Sequence, residues 1–420
     1  MGRALLTMGS QSLSSVTNFL IAALALQAGS LAAFGRFSVV FNLCQLVIVV
    51  GQGSIGSTVL VHTSSDATSE RATDLRDGAA AAGIALGLVG TVALGVAALV
   101  VGGQLGTMLA VAAVGSPLLV SQYVLRARRF AIGDPLGAVV ADVVWLAVVL
   151  AAGAADVLGW VELSSTGYLV VWIAGAAVSA LPVLVAAARR GIATIGLYWQ
   201  VAGRQSVRLS VEAGLARSVF VTSLITAQAL IGPQASGVVA AAVLTLSPLS
   251  VIHEAVSMFV VPDSVRRGGI RVLPRAIVVR ITVAVVVITV AWIAVVLLAN
   301  GLVDRSLGPF DLAGNGVALA AFLAMSARFV MLAAWRGPLI ALRVADATTE
   351  SLRARAIGTV AQIVLPIGGF AVGGVTGGVV ALAVGTAIGA AAAVREWARL
   401  GPGSLSEPAS AAAGSSAPVR

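Results

Sequence analysis

Lysine is absent from this sequence, and that absence removes several chemistries at once. A Gly-rich phosphate loop of the nucleotide-binding kind ends in lysine, so none is present. Histidine occurs only at His62 and His253, which gives no pair with metal-ligand spacing. The lone Cys44 lies inside an apolar run, excludes a disulfide framework or a cysteine-based metal site, and reads as packing. Charged residues make up just 10% of the chain. The acids available to one side, Asp156, Glu162, Asp304 and Asp311, fall in short connections rather than the sizeable loops a membrane glycosyltransferase would want. No catalysis, cofactor or metal is therefore expected.

What is present is apolar. Across 420 residues, 59% are hydrophobic, with a mean hydropathy of +1.03. A soluble domain of this length would expose apolar surface everywhere with such a composition, so the solvent is a membrane. A helix crossing ~30 Å of hydrocarbon takes ~20 apolar residues, which leaves room for about twelve spans. The formal charge of +9 falls in short interhelical segments. It reports orientation and gives no reason to expect a nucleic-acid partner.

Low-charge windows bounded by arginine clusters or Gly/Pro turns predict spans at 6–28, 31–61, 78–101, 105–125, 134–153, 166–188, 209–231, 236–261, 276–299, 312–335, 356–373 and 377–394. Arginines concentrate in alternate connections, and the other side holds only Arg305, so both termini are expected in the cytoplasm of a bacterial inner (cytoplasmic) membrane. The start carries too many polar residues for the core of a cleavable leader and reads as a retained, polar-lined helix.

The segment 191–208 divides the spans into a first six-helix lobe, 1–190, and a second, 209–395, with a disordered cytoplasmic tail at 396–420. Gly29 to Leu43 and Gly232 to Leu246 share a turn glycine followed by a second glycine opening an apolar helix, at an offset a duplicated six-helix unit would give. The fold class is thus an all-α integral membrane protein, two pseudo-symmetric lobes around a central cavity.

Ionisable groups within spans face a bundle interior or a water-filled cavity. Measured from the arginine-rich ends at 1.5 Å per residue, Arg217, Arg328, Glu254 and Asp142 all lie ~12–13 Å deep, with His253 close to that layer. Guanidinium groups hold phosphate oxygens through a planar fork and stay charged, which suits a pyrophosphate-bearing lipid. The alternative is an internal ion pair, such as Glu254 with Arg217 or Arg328, that fastens helices. Arg36 sits near the outer end of span two, where it meets substrate or snorkels. Asn18, with Gln11, Asn42, Gln45 and Gln52, would hydrate a path or bond neighbouring helices.

Three stretches carry a family likeness. They are Ser12 to Phe19 with Ala33-Phe34-Gly35-Arg36-Phe37; Gln122 to Arg126 with Asp142-Val143-Val144-Trp145; and Ser236-Gly237 through Leu246-Ser247-Pro248-Leu249. Together the chain resembles the polysaccharide (Wzx-like, lipid-linked oligosaccharide) flippase branch of the multidrug/oligosaccharidyl-lipid/polysaccharide (MOP) exporter superfamily. The resemblance implies alternating access by two lobes and an undecaprenyl-pyrophosphate-type substrate. Membrane lipids and envelope glycosyltransferases or a polymerase are the further partners considered. Asp142 and Trp145 in the Asp-x-x-Trp element, with Arg126, are structural or gating candidates, Asp142 holding Arg126 or Arg128. Two rivals stay open: a multidrug or cation antiporter of the same superfamily using Glu254, and a non-transporting scaffold for envelope synthesis. The coupling ion, proton or sodium, is open.

Overall fold

A computed structural model describes residues 2–63, 69–186, 190–266, 275–302, 315–344 and 347–399, with the backbone alone for 251–266 and for some other helix positions, chiefly 2–5, 299–302 and 343–344. The chain order is α1 (Gly2–Gln27), α2 (Leu31–Gly51), a π-helical turn (Gln52–Gly56), α3 (Ser57–Thr63), α4 (Glu70–Val101), α5 (Gly103–Ala131), α6 (Pro135–Val157) and α7 (Ser165–Ala186). It continues through α8 (Ile192–Leu230), α9 (Pro233–Arg266), α10 (Arg275–Leu302), α11 (Gly316–Val344) and α12 (Thr348–Arg399). Among the described residues, 9 helices are long and apolar enough to cross a membrane. Their outward faces carry exposed Val89, Leu99, Val114 and Val372, a surface that only lipid accommodates. The protein is an all-α integral membrane protein.

Local sequence sets the helix starts. Ser30 and Ser69 accept hydrogen bonds from the amides of Ala33 and Ala72, capping α2 and α4. Asp134 caps α6 through the Gly137 amide at 2.9 Å, with Pro135 in the first helical position. Within α12, Gly374 takes φ +60°, a left-handed conformation open to glycine at little cost, and the helix folds back on itself. Gly369 then faces Gly377, and Gly389 faces Gly358, as in an antiparallel hairpin.

Helices α1, α2 and α4–α7 pack among themselves, and α8–α12 do likewise. In lipid there is no hydrophobic drive between helices, so close backbone approach matters. On α4, buried Gly83, Gly87 and Gly90 repeat at helical spacing and let α5 approach at Val124, Pro117 and Ser116. On α11, the Trp335 ring fills the groove that Gly358 and Gly389 leave open. The two sets meet where α2 packs on α8 and α9, α4 on α8, and α1 on α9.

Three boundaries differ from the sequence expectation. Residues 192–208 form no irregular connection but the first half of α8, because Tyr198, Ala202 and Ser206, four residues apart, bury one face. The cluster Arg126, Arg128 and Arg129 lies inside α5, not in a loop after it. Residues 396–399 continue α12, with Glu396 buried and bonded to Arg399, while the expected tail from 401 to 420 lies outside the described residues.

Candidate substrate cavity

The periodicity of α1 sorts its polar residues between two faces. Ser10 and Thr17 are buried against the neighbouring helices, whereas Gln11, Ser14, Ser15 and Asn18 line a cavity. This cavity, about 580 Å³, lies between α1 and α2 on one wall and α8 and α9 on the other. Its size is that of a small-ligand site. Phe34, Phe37 and Phe41 line it from α2, with ring centroids 6.1 Å and 5.4 Å apart along the stack. Phe19, Phe220 and Tyr123 add further rings to the lining.

Among the described residues one cation enters this lining. Arg217 of α8 donates from Nη2 to Asn42 Oδ1 at 2.6 Å. Asn42 is held for that purpose, since its own Nδ2 donates to Ser38 O at 2.8 Å and so turns the oxygen toward the guanidinium. Gln45, one turn further along α2, also lines the cavity. Its Nε2 is buried with no hydrogen-bond acceptor among the described residues, an unspent donor on the same face. Arg328 of α11 lies within Coulombic range of Arg217 but does not line the cavity. The structure therefore brings Arg217, Asn42 and Asn18 to one space, with Arg328 behind it.

Asn18 Oδ1 accepts from Trp172 Nε1 at 3.0 Å, so this residue links the cavity to a buried aromatic ladder. Trp172 stands 4.8 Å from Phe41 and 5.7 Å from Trp145, centroid to centroid. Trp145, fully buried, donates to Trp172 O at 2.8 Å and meets Tyr123 edge-on. Trp145 thus props the cavity wall without facing the cavity.

Asp142 is elsewhere. It is fully buried between α1, α5 and α6, with Arg126 Nε 3.3 Å from its Oδ2. Ser10 Oγ donates to the same oxygen, and Gln122 Nε2 donates to Oδ1 at 3.0 Å. Arg126 also reaches Gln11 Oε1 at 3.0 Å and lies over the Tyr123 ring. A buried pair this thoroughly bonded fastens helices. The shared depth of Asp142 and Arg217 therefore does not bring them to a shared space. Arg36 is half-buried in the second turn of α2 and away from the cavity lining. Glu254 and His253 belong to α9, but their side chains lie outside the described residues.

Beside Phe34 of the lining lies a close helix crossing. There α2 and α9 cross so tightly that Gly35 meets Pro233 O and Gly237 meets Leu31 O, backbone on backbone. At the arginine-rich end the π-turn of α2 is braced by α8. Thr58 Oγ1 and Tyr198 Oη lie 2.9 Å apart, Tyr198 Oη and Ser206 Oγ 2.6 Å, and Ser206 Oγ donates to Ser54 O at 3.2 Å. The Ser54 carbonyl of the π-turn is thereby bonded by Ser206 and also by Thr58 Oγ1 at 2.6 Å.

The fold is shared with solved membrane-transporter structures. The lipid II flippase MurJ in its inward closed conformation matches over 94% of this chain and 89% of that one, at 11% identity and a TM-score of 0.64. An outward-facing multidrug resistance MATE family transporter of the MOP superfamily matches over 94% and 92%, at 14% identity and a TM-score of 0.59. An inward-facing form matches over 94% and 98%, at 13% identity and a TM-score of 0.57. The chain has the fold of these MOP-superfamily proteins. No protein-family profile matches it, and no curated protein matches it in sequence.

Proposed function

We propose that this protein is a transporter that flips a lipid-linked oligosaccharide, carried on a polyprenyl pyrophosphate, across a bacterial inner membrane as a precursor of a cell-envelope polysaccharide. The observation that carries the reading is the Arg217 guanidinium, oriented by Asn42 into an aromatic cavity between α1–α2 and α8–α9. In this reading the guanidinium takes a phosphate oxygen, Gln45 and Asn18 bond sugar hydroxyls, and the phenylalanines stack on sugar rings. Arg328 adds positive potential, and Glu254 and His253, just past Ser250 of the lining, are further candidates.

About twelve spans in two six-helix lobes, with both termini cytoplasmic, would rock about the cavity. The α2–α9 crossing is then the shut outer gate. The likeness to MurJ supports a lipid-linked substrate, and the protein acts without being an enzyme. Glycosyltransferases or a polymerase would supply and consume the cargo.

The test is reconstitution of the full chain into liposomes with a fluorescent polyprenyl-pyrophosphate oligosaccharide, following its exposure to a membrane-impermeant quencher. Flipping that is lost in Arg217→Ala supports the proposal. No flipping by the intact protein sinks it. A second reading, a multidrug or cation antiporter, is favoured by the aromatic wall and the MATE fold. It predicts drug efflux that Glu254→Gln abolishes. A scaffold would keep its cellular role with Arg217 and Arg328 both neutralised.

A further inference from the structure

The polar groups around the cavity differ in whether they can change role. A serine hydroxyl rotates to donate or accept, as Ser15 does in donating to Gln11 O at 2.9 Å. An amide side chain has one end of each kind, and its neighbours decide which end is spent. Arginine and the tryptophan indole possess donors only. Arg126 Nη2 meets the Gln11 amide oxygen at 3.0 Å, and Trp172 Nε1 meets the Asn18 amide oxygen at 3.0 Å. Neither Arg126 nor Trp172 lines the cavity, so both oxygens are held from behind its wall. Turning either amide over would set donor against donor.

What these two residues leave for the cavity is the NH2 end. Both are half-buried in its lining, and neither amide nitrogen has an acceptor among the described residues. They stand seven residues apart on one face of α1, two turns or about 10.5 Å. Gln45 Nε2 on α2 is a further donor without an acceptor, and the Arg217 guanidinium is donor-only as well. Among the described residues no carboxylate enters the lining. The groups of fixed role are therefore donors, with Arg126 and Trp172 as the positioning residues for Gln11 and Asn18.

We infer that the cavity selects a glycan bearing sp2 oxygen acceptors, a carboxylate or an acyl carbonyl, over one that offers hydroxyls alone. The preference concerns the sugar of the lipid pyrophosphate proposed above and rests on that reading. A hydroxyl can accept from Gln11 or Asn18, but it keeps a proton that needs an acceptor of its own in a space walled by donors. A carboxylate or acyl oxygen carries no such proton. One hydrogen bond made without an orphaned proton is a difference of about three- to tenfold in affinity.

Isothermal titration calorimetry of the full chain in detergent compares three farnesyl pyrophosphate monosaccharides: glucosyl, N-acetylglucosaminyl and glucuronosyl. Binding of the second or the third about three- to tenfold tighter than the first is expected, and the tighter of the two assigns acyl or carboxylate. Equal affinities overturn the inference. Asn18→Asp with Gln11→Glu keeps an oxygen toward Trp172 and Arg126 but puts a second oxygen where the NH2 stood. The advantage should vanish in this variant, with the glucuronosyl lipid bound worst; an unchanged advantage also overturns the inference. If the variant does not fold, the ranking by the intact chain decides alone. An intact chain that shows the ranking yet flips no lipid refutes the transporter reading only. Flipping of all three lipids with equal affinity refutes only the donor wall, and binding of none refutes both.

Discussion

Gly35 of α2 and Gly237 of α9 cross so closely that a Cβ on Gly35 would stand 2.8 Å from the Gly237 amide nitrogen. No side chain fits between them, so this crossing exists only while both positions are glycine. The two segments that meet are those whose sequences repeat at a distance of about two hundred residues, as a duplicated unit would place them.

Replacing Gly237 with alanine drives a methyl into the Leu31 carbonyl, which backbone cannot yield cheaply, so the closed crossing is disfavoured. A thiol at the cavity residue Ser38, in a Cys44→Ala background, should then react several-fold faster with an impermeant maleimide added to the arginine-poor side. Cys44 is 1% exposed, so its removal leaves no competing signal. An unchanged rate would mean the crossing is not the barrier.

Asp142→Ala leaves the Arg126 charge buried without its partner and is expected to cost roughly 3–5 kcal/mol of stability. Thermal unfolding in detergent reads this directly. The Arg126→Met, Asp142→Leu double variant should recover most of the loss. If the double variant is as unstable as the two single changes summed, the pair is not acting as a unit.

Asn42→Asp places a carboxylate against the Arg217 guanidinium, within the 2.6 Å contact now made by the amide oxygen. The arginine is then satisfied internally and offers less to a phosphate. Transport of a pyrophosphate-linked substrate should fall by roughly ten- to a hundredfold, the worth of a charge-assisted hydrogen bond, with expression unaltered. Transport at the normal rate would separate Arg217 from substrate recognition.

Tyr198→Phe removes the hydroxyl shared by Thr58 and Ser206 while keeping the ring. About 1–3 kcal/mol of stability should be lost, and hydrogen exchange at the π-turn amides 52–56 should quicken. Faster exchange spread evenly over α2 would argue against a local brace.

The membrane class was legible from composition, because a hydropathy this high has no soluble solution. Arg217 was legible too, since a guanidinium so deep in a span must face something polar. Depth alone could not separate Asp142 from Arg217: distance along a helix axis carries no information about azimuth, and the two face different neighbours. The first half of α8 is hidden because an arginine- and glycine-bearing stretch reads as a connection until the four-residue spacing of Tyr198, Ala202 and Ser206 is weighed. Arg126 reads as a loop residue for the same reason, although Gln122 one turn before it marks a polar face within α5. The aromatic cavity wall was hidden because Phe34, Phe37 and Phe41 look like lipid-facing or core residues until a partner helix stands back from them.

The π-turn at Gln52–Gly56 makes α2 intolerant of any change in length. One surplus residue in a helix rotates everything beyond it by about 100°. Upstream of the turn α2 shows Phe34, Phe37, Phe41 and Ile48 to the cavity; the turn itself shows Ser54, and α3 beyond it Thr58, to α8. Deleting a single residue such as Gly53 would restore an ordinary helix and swing Thr58 away from Tyr198, so this helix counts its residues where a loop of equal length would not.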